Sequence, residues 1–485
     1  MEQKKKKTSK VMISAFSIIL ILIFGLGIIS HLLPDAQFVG DNLVDGSGVV
    51  GAKLSEVFMS PILGFANAID VCIFVLILGG FLAVITKTGA LETGIRVLVQ
   101  KLKGNEIILI PILMFVFSLG GTTYGMLEET VGFYALLAAT MVAARMDTIV
   151  GAAIVLLGAG SGVLGSTVNP FAVGAAVSAL PEGIEVNQGI IIALGAILWL
   201  TTLAISIFFV MRYAKKVQKE KGSTFLSLRE QEEMEETYGN NAKAVDSKEK
   251  AHLSGKQKVT LVLFGLTFLI MVIGFIPWGE FGVNIFDKFT GWLTGSALGS
   301  WYFYESALWF LLMAVIIAIV NRTSENDFVN TFINGTKDMM SVVLIIAVAR
   351  GASVLMQTTH LDNYIIYNAS EALQDLPAFL FGPLNYLLHI VLSVLVPSSS
   401  GLATLSTPIM GPLAANLGYS VEGTIMTFVA ANGLVNLITP TCGAIMGGLA
   451  LAKVQYTTWF RWVLKVVVTI MIVNIIILTG AMIIL

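Results

Sequence analysis

The chain has 485 residues, 56% of them hydrophobic and 12% charged, with a mean hydropathy of +0.85. That is too little charge to cover a soluble protein of this size, so the chain reads as a polytopic membrane protein. A formal net charge of -2 points to no nucleic-acid partner, and the two cysteines, Cys72 and Cys442, lie in apolar segments as small core residues rather than a disulfide pair.

In chain order, the first apolar segment is 11–33, behind the basic leader MEQKKKKTSK. It is too long for the core of a signal peptide and lacks a small-x-small cleavage site, so it reads as a retained first span. A spanning helix needs roughly 20 apolar residues. Further spans are predicted at 70–87, 148–180, 188–212, 258–276, 304–321, 339–357, 423–451 and 462–485, about nine in all. Two more apolar regions, 107–146 and 379–417, are interrupted midway by Gly, Pro, Ser or Thr clusters. Lysine and arginine mark cytoplasmic loops. They crowd the N-terminus (Lys4 to Lys7) and the polar stretch 213–257. Residues 34–55 and 277–303 carry one lysine each, Lys53 and Lys288, and 358–378 carry none. Nine spans alternate without conflict only if 107–146 starts and ends inside and 379–417 starts and ends outside. Both therefore read as re-entrant helical hairpins, with the N-terminus cytoplasmic and the C-terminus external.

The order of events recurs. Residues 1–212 and 277–485 each hold two spans, a hairpin, a broken span and a final span, joined by a cytoplasmic linker (213–257) and a connecting span (258–276). The first hairpin has the tip GGTTYG (Gly120 to Gly125), and its broken span is interrupted at GSTVNPF (Gly165 to Phe171). The second has the tip VPSSSG (Val396 to Gly401), and its broken span is interrupted at NLITPTCG (Asn436 to Gly443). One connecting span gives the two repeats opposite topologies, the inverted plan of secondary transporters. The expected fold is all-α, with about nine spans plus two re-entrant hairpins.

Irregular backbone at membrane depth survives only around a polar cavity. Half-helix N-termini there suit anions, and free carbonyls suit cations. The candidate site therefore takes Gly121, Thr122 and Thr123 from the first tip and Ser398, Ser399 and Ser400 from the second. The three serines also fit a plain tight turn. Asn432 and Asn436 lie four apart on one helical face, where they either line the site or bond between helices.

Glu128 and Glu129 follow the first tip. A carboxylate within a membrane is expensive and needs a partner or a cavity. On a regular helix adjacent residues point about 100° apart, so both cannot face one ligand. At least one either attracts the cationic end of a basic amino acid, with guanidinium the best match, or pairs with a cation of the protein or caps a half-helix. Arg350, inside the 339–357 span, either holds a carboxylate substrate or neutralises those glutamates. Asp70 reads as an interfacial residue and His389 as a packed one.

The paired motifs, GGTTYG with GSTVNP and PSSSG with NLITPT, resemble the ion transporter superfamily. The whole chain is similar to the four-carbon dicarboxylate anaerobic carrier family, in its basic amino acid (arginine/ornithine) antiporter branch. The resemblance covers nearly all 485 residues. It implies a multi-pass protein of the bacterial cytoplasmic (inner) membrane and a homodimer. In it, both hairpins and both broken spans form a transport domain that moves as an elevator past a scaffold. The superfamily's Ser-Asn-Thr motifs hold substrate and sodium. Their counterparts here are Ser166, Thr167 and Asn169 in the first repeat and Asn436, Thr439 and Thr441 in the second. Neither is a clean Ser-Asn-Thr triplet. A coupling sodium would sit near Asn169 and Asn436; a proton is the other coupling ion, and no further cofactor is expected. The expected function is secondary active transport by exchange of basic amino acids. The alternative is sodium- or proton-coupled carriage of a dicarboxylate or other carboxylate. A channel or a membrane enzyme is the weaker expectation, since no HExxH, paired intramembrane aspartates, zinc-ligand spacing or Ser/His pairing appears.

Overall fold

The computed structural model describes residues 15–485 apart from 41, 45, 103–104, 246–251, 276–277 and 284. The Lys4–Lys7 leader lies outside the described residues. The first half runs α1 (Ala15–Ile29), a two-stranded ribbon of β1 (Phe38–Val39) and β2 (Asn42–Leu43), α2 (Leu54–Asn67), α3 (Ile69–Lys87) and α4 (Ala90–Leu102). It continues with α5 (Leu109–Tyr124), α6 (Val131–Ala143), α7 (Thr148–Leu164), the short α8 (Ala175–Ser178) and α9 (Gln188–Lys219). After α10 (Leu228–Val245) and α11 (Gly255–Phe275) come α12 (Phe303–Asn321), α13 (Glu325–Asp338), α14 (Met340–Thr359) and α15 (Leu361–Leu373). The chain closes with α16 (Ala378–Leu395), α17 (Ser399–Asn416), α18 (Val421–Val435), α19 (Gly443–Leu451) and α20 (Tyr456–Ile484).

Seven helices among the described residues are long and apolar enough to cross a membrane: α3, α9, α11, α12, α20 and, with its preceding turn, α5, together with α16. The bent pair α13–α14, at 41°, makes an eighth. This differs from nine spans in an instructive way. The first arms of both hairpins reach span length, whereas α1, α7 and α18 stop at 15, 17 and 15 residues. In α7 and α18 the shortfall is the break itself.

Two bodies organise the packing. In one, α2 lies on α14, α3 lies on α12 and α13, and α1 lies on α14. Ala68 alone separates α2 from α3, and Met339 alone separates α13 from α14, the bent pair. The sequence reading saw 70–87 and 339–357 and passed over α2 and α13. Both are amphipathic, with Glu56 and Pro61 in α2 and Glu325, Asp327, Lys337 and Asp338 in α13, which hides them from a search for continuous apolar runs.

In the other body, α7 packs on α5, α6 and α9, α18 packs on α16, α17 and α20, and α7 meets α18. All 17 residues of α7 are buried, as are most of α18. Small residues let such all-round buried helices approach closely. A methyl on Gly121 of α5 would stand 2.1 Å from the Ala159 carbonyl of α7, so only glycine permits this crossing. Breaks recur at a fixed spacing: Tyr124 and Leu395 end the first arms, Leu164 and Val435 end the first halves of the broken spans, and each pair is 271 residues apart.

The polar stretch 213–257 holds α10, which packs on α4 and α6 and bonds to the turn before α20. Asp147, at the start of α7, accepts hydrogen bonds from the Tyr213 hydroxyl and the Thr224 hydroxyl. Within α10, buried Glu230 accepts from the Gln455 amide (2.8 Å) and the Thr458 hydroxyl (2.9 Å), and the Tyr238 hydroxyl donates to the Leu451 carbonyl (2.6 Å).

Candidate functional site

The first hairpin tip forms because Gly125 ends α5 with φ +83°, a left-handed conformation that glycine adopts without strain. The chain then turns through a 3-10 segment, Glu128–Thr130, into α6. The second tip forms because Pro397 precedes Ser398, whose hydroxyl caps α17 by accepting the Gly401 amide (3.3 Å). Each tip is fastened to its own broken span. Thr122 donates to the Gly165 carbonyl (2.8 Å), and its carbonyl accepts the Thr167 amide (2.9 Å). In the second repeat the Ser399 hydroxyl donates to Asn432 Oδ1 (2.7 Å), and Thr441 donates to the Val394 carbonyl (3.0 Å).

All four interruptions converge on one cavity of about 350 Å³. The first hairpin supplies Gly125, Leu127 and Glu128, and the first break supplies Asn169 and Phe171. The second hairpin supplies Pro397 and Ser398 to Ser400, and the second break supplies Asn436, Thr441, Cys442 and Gly443. The opposite wall belongs to the other body: Asn67 and Asp70 at the α2–α3 junction, Tyr302 and Phe303 at the start of α12, and Ile346 and Arg350 of α14. The rings of Phe171 and Tyr302, 5.6 Å apart, bridge the two bodies.

Of the residues singled out from sequence, Glu128, Asn169, Ser398, Ser399, Ser400, Asn436, Thr441 and Arg350 line this cavity. The others stand one layer behind it. Gly121 and Thr122 lock α5 onto α7, and Thr123 donates to the Leu119 carbonyl of its own helix (2.7 Å). Ser166 donates to the Val163 carbonyl (2.7 Å) and accepts from Asn169 (2.9 Å), while Thr167 holds Thr122. Asn432 is buried between Ser399, Ser393 and Asn436, and Thr439 bonds the Thr441 hydroxyl (2.6 Å). The backbone of Glu129 falls in the 3-10 turn; its side chain lies outside the described residues.

Asp70 stands in the first turn of the α3 span, as the sequence predicts, and there it also lines the cavity beside Asn67. Asn67, Tyr302 and Phe303 were missed. Their only signal was proximity to the unread α2–α3 junction or to a span end. His389 is packed, as expected: one ring nitrogen meets the Asn385 carbonyl (2.9 Å) and the other the Ser406 hydroxyl (2.6 Å).

The cavity thus holds two carboxylates, Asp70 and Glu128, and one guanidinium, Arg350. Among the described residues, no ion pair within 4.0 Å joins Arg350 to either acid. Three charged groups facing one cavity without an ion pair are costly unless a polar ligand completes them. Asn436 adds an orphan acceptor. Its amide nitrogen donates to Asn432 Oδ1 (3.1 Å) and the Pro397 carbonyl (3.4 Å), while Oδ1 is buried without a partner. Asn169 Oδ1 accepts the Phe171 amide (2.9 Å). Among the described residues, no cluster of three His, Cys, Asp or Glu side chains could hold a metal ion.

The family model for the C4-dicarboxylate anaerobic carrier matches residues 12–483. The chain belongs to that family and is a multi-span helical membrane transporter. It is 30% identical over 415 residues to an uncharacterized protein of Haemophilus influenzae, covering 85% of this chain and 75% of that one. It is 26% identical over 408 residues to the Escherichia coli protein named "Putative basic amino acid antiporter YfcC", covering 82% and 74%. The YdaH transporter of Alcanivorax borkumensis aligns over 96% of this chain and 98% of its own at 14% identity, with a TM-score of 0.46.

Proposed function

We propose that this member of the C4-dicarboxylate anaerobic carrier family is a secondary transporter that exchanges basic amino acids of the arginine/ornithine type. The carrying observation is the charge set of the cavity: two carboxylates against one guanidinium. With all three ionised the lining is net negative. A basic amino acid has a net charge of +1, with two cations and one anion, the complement of that set. A dicarboxylate brings two negative charges and would meet Asp70 and Glu128 with only Arg350 in its favour. The aromatic edge made by Phe171, Tyr302 and Phe303 also suits a guanidinium. The name of the Escherichia coli relative agrees with this reading.

Transport in this reading is by an elevator. The two hairpins and the broken spans α7–α8 and α18–α19 travel as a unit past the body built on α2, α3, α12 and α14, and the halves are inverted repeats. The fixed spacing of the breaks and the placement of the cavity between two bodies support it. Homodimerisation and residence in the bacterial inner membrane belong to the same proposal.

The family description favours a second reading, a sodium- or proton-coupled dicarboxylate carrier, in which Arg350 and the starts of α17 and α19 take the carboxylates. Liposomes loaded with unlabelled ornithine and offered labelled arginine or labelled succinate decide between them. Arginine uptake that requires internal ornithine and falls at least tenfold in both Asp70→Asn and Glu128→Gln is the expected result. Succinate uptake driven by an ion gradient, with arginine inert, overturns it.

A further inference from the structure

The two hairpin tips occupy equivalent places in the two halves, yet their chemistry differs. Glu128 begins the helical turn after the first tip, and Ser399 begins α17 after the second. They are separated by the same spacing that relates the other breaks. Both line the cavity. One tip therefore presents a carboxylate where the other presents a hydroxyl and the first amides of a helix whose Ser398 cap takes only the Gly401 amide, so the two tips differ in charge.

Among the described residues, the amides of Ser399 and Ser400 donate to no backbone carbonyl, as expected for the first positions of a helix. The start of α19, at Cys442 and Gly443, faces the same space. Beside these helix starts lies Asn436, 5% exposed, with its Oδ1 unpartnered. The orientation of that amide is fixed by its network: flipping it would set the oxygen against the Asn432 and Pro397 acceptors. An anion-binding helix start next to an orphan acceptor is a pair that a zwitterionic head group satisfies at once, carboxylate on the former and ammonium on the latter.

We propose that the substrate lies across the cavity with its α-amino-acid head at the second hairpin and its side-chain cation at Glu128 of the first. The α-carboxylate takes the amides of Ser399 and Ser400 and the α-ammonium donates to Asn436 Oδ1, while Asp70 and Arg350 on the opposite wall balance the charges of the head group. This rests on the exchange of basic amino acids and adds the polarity of binding. It divides recognition between the halves: the second repeat reads the common backbone of an amino acid, and the first reads its side chain.

The test is binding of four probes to the purified full-length protein: arginine, citrulline (neutral side chain), agmatine (no carboxylate) and argininic acid (no α-ammonium). Wild type is expected to bind arginine about tenfold or more tightly than each of the others, the worth of one charge-assisted hydrogen bond. Glu128→Gln should erase the preference over citrulline and keep the preference over agmatine. Ser400→Asp, which adds a negative charge at the α17 start, should erase or invert the preference over agmatine and keep that over citrulline. The opposite assignment of effects overturns the polarity while leaving the substrate class intact. Failure of wild type to bind arginine at all overturns the substrate class itself.

A second measurement needs no altered protein. Cys442 lines the cavity at the start of α19 and is 5% exposed, whereas Cys72 is fully buried away from it. Citrulline should protect Cys442 from a maleimide, read by mass spectrometry, at concentrations where agmatine does not. Protection by agmatine alone overturns the proposal.

Discussion

Gly64 of α2 and Gly351 of α14 cross backbone to backbone: a methyl group on Gly64 would stand 2.3 Å from the Gly351 amide nitrogen. The same contact recurs between Gly79 of α3 and Gly335 of α13, where a methyl on Gly335 would lie 2.3 Å from the Gly79 carbonyl. Arg350 is the residue before Gly351, so the first crossing sets where the guanidinium stands. Gly64→Ala should cost roughly 1–3 kcal/mol by overpacking and should weaken arginine binding by displacing α14. Gly25→Ala in α1, where a methyl meets nothing within 4 Å, is the control and should not destabilise. Thermal melts of the detergent-solubilised protein, with and without arginine, check both.

Gly125→Ala should damage transport more than stability. The residue holds φ +83°, and a methyl there would lie 2.7 Å from the Asn169 amide nitrogen. The conformational cost is about 1–2 kcal/mol, but relief of the clash moves the tip that carries Glu128. Arginine exchange should fall at least tenfold while the protein still purifies as a folded species. Wild-type exchange rates in this variant would show that the tip is not held by Gly125.

Burial pushes the Asp147 carboxyl above its ordinary range, against the hydrogen bonds from Thr224 and Tyr213 that lower it. The sign follows from linkage. A carboxyl whose folded pKa is raised binds its proton more tightly in the native state, so its contribution is fully present below the unfolded value and is lost as pH rises through the folded one. Melting temperature should therefore gain a component on acidification toward pH 4 that Asp147→Asn lacks. Identical pH profiles for the two proteins would refute this.

His389 is fully buried between the Asn385 carbonyl and the Ser406 hydroxyl. The ring donates to the carbonyl and so accepts from Ser406, which makes it a neutral packing residue. His389→Phe should orphan the Ser406 hydroxyl and cost about 1–3 kcal/mol in stability. The pH dependence of exchange should keep its shape. A shifted pH profile with unchanged stability would instead assign the imidazole to proton traffic.

What could be read in advance follows from what each feature is made of. The hairpins and broken spans announce themselves through Gly, Pro, Ser and Thr clusters inside apolar runs, because such clusters have few other uses at membrane depth. Glu128 and Arg350 stand out for the same reason. Asn67 did not, since it ends α2, where Glu56 and Pro61 within the helix and Lys53 at its cap make the stretch look like a loop. Local sequence also could not separate Ser166, Thr167, Asn432 and Thr439 from the residues that line the cavity. All are polar and lie at or near the same breaks, and only the turn of each chain segment decides which hydroxyl or amide faces inward and which is spent on a neighbouring carbonyl.

The clasp between α10 and the turn before α20 has a bearing on how the chain is made. Glu230 and Tyr238 lie upstream of α11, and their partners Gln455, Thr458 and Leu451 lie far downstream. A gene divided between α10 and α11 would encode two polypeptides, the first bearing a docking arm for the second. Co-expressed, the two polypeptides are expected to co-purify through that arm, and Glu230→Ala should weaken the pairing.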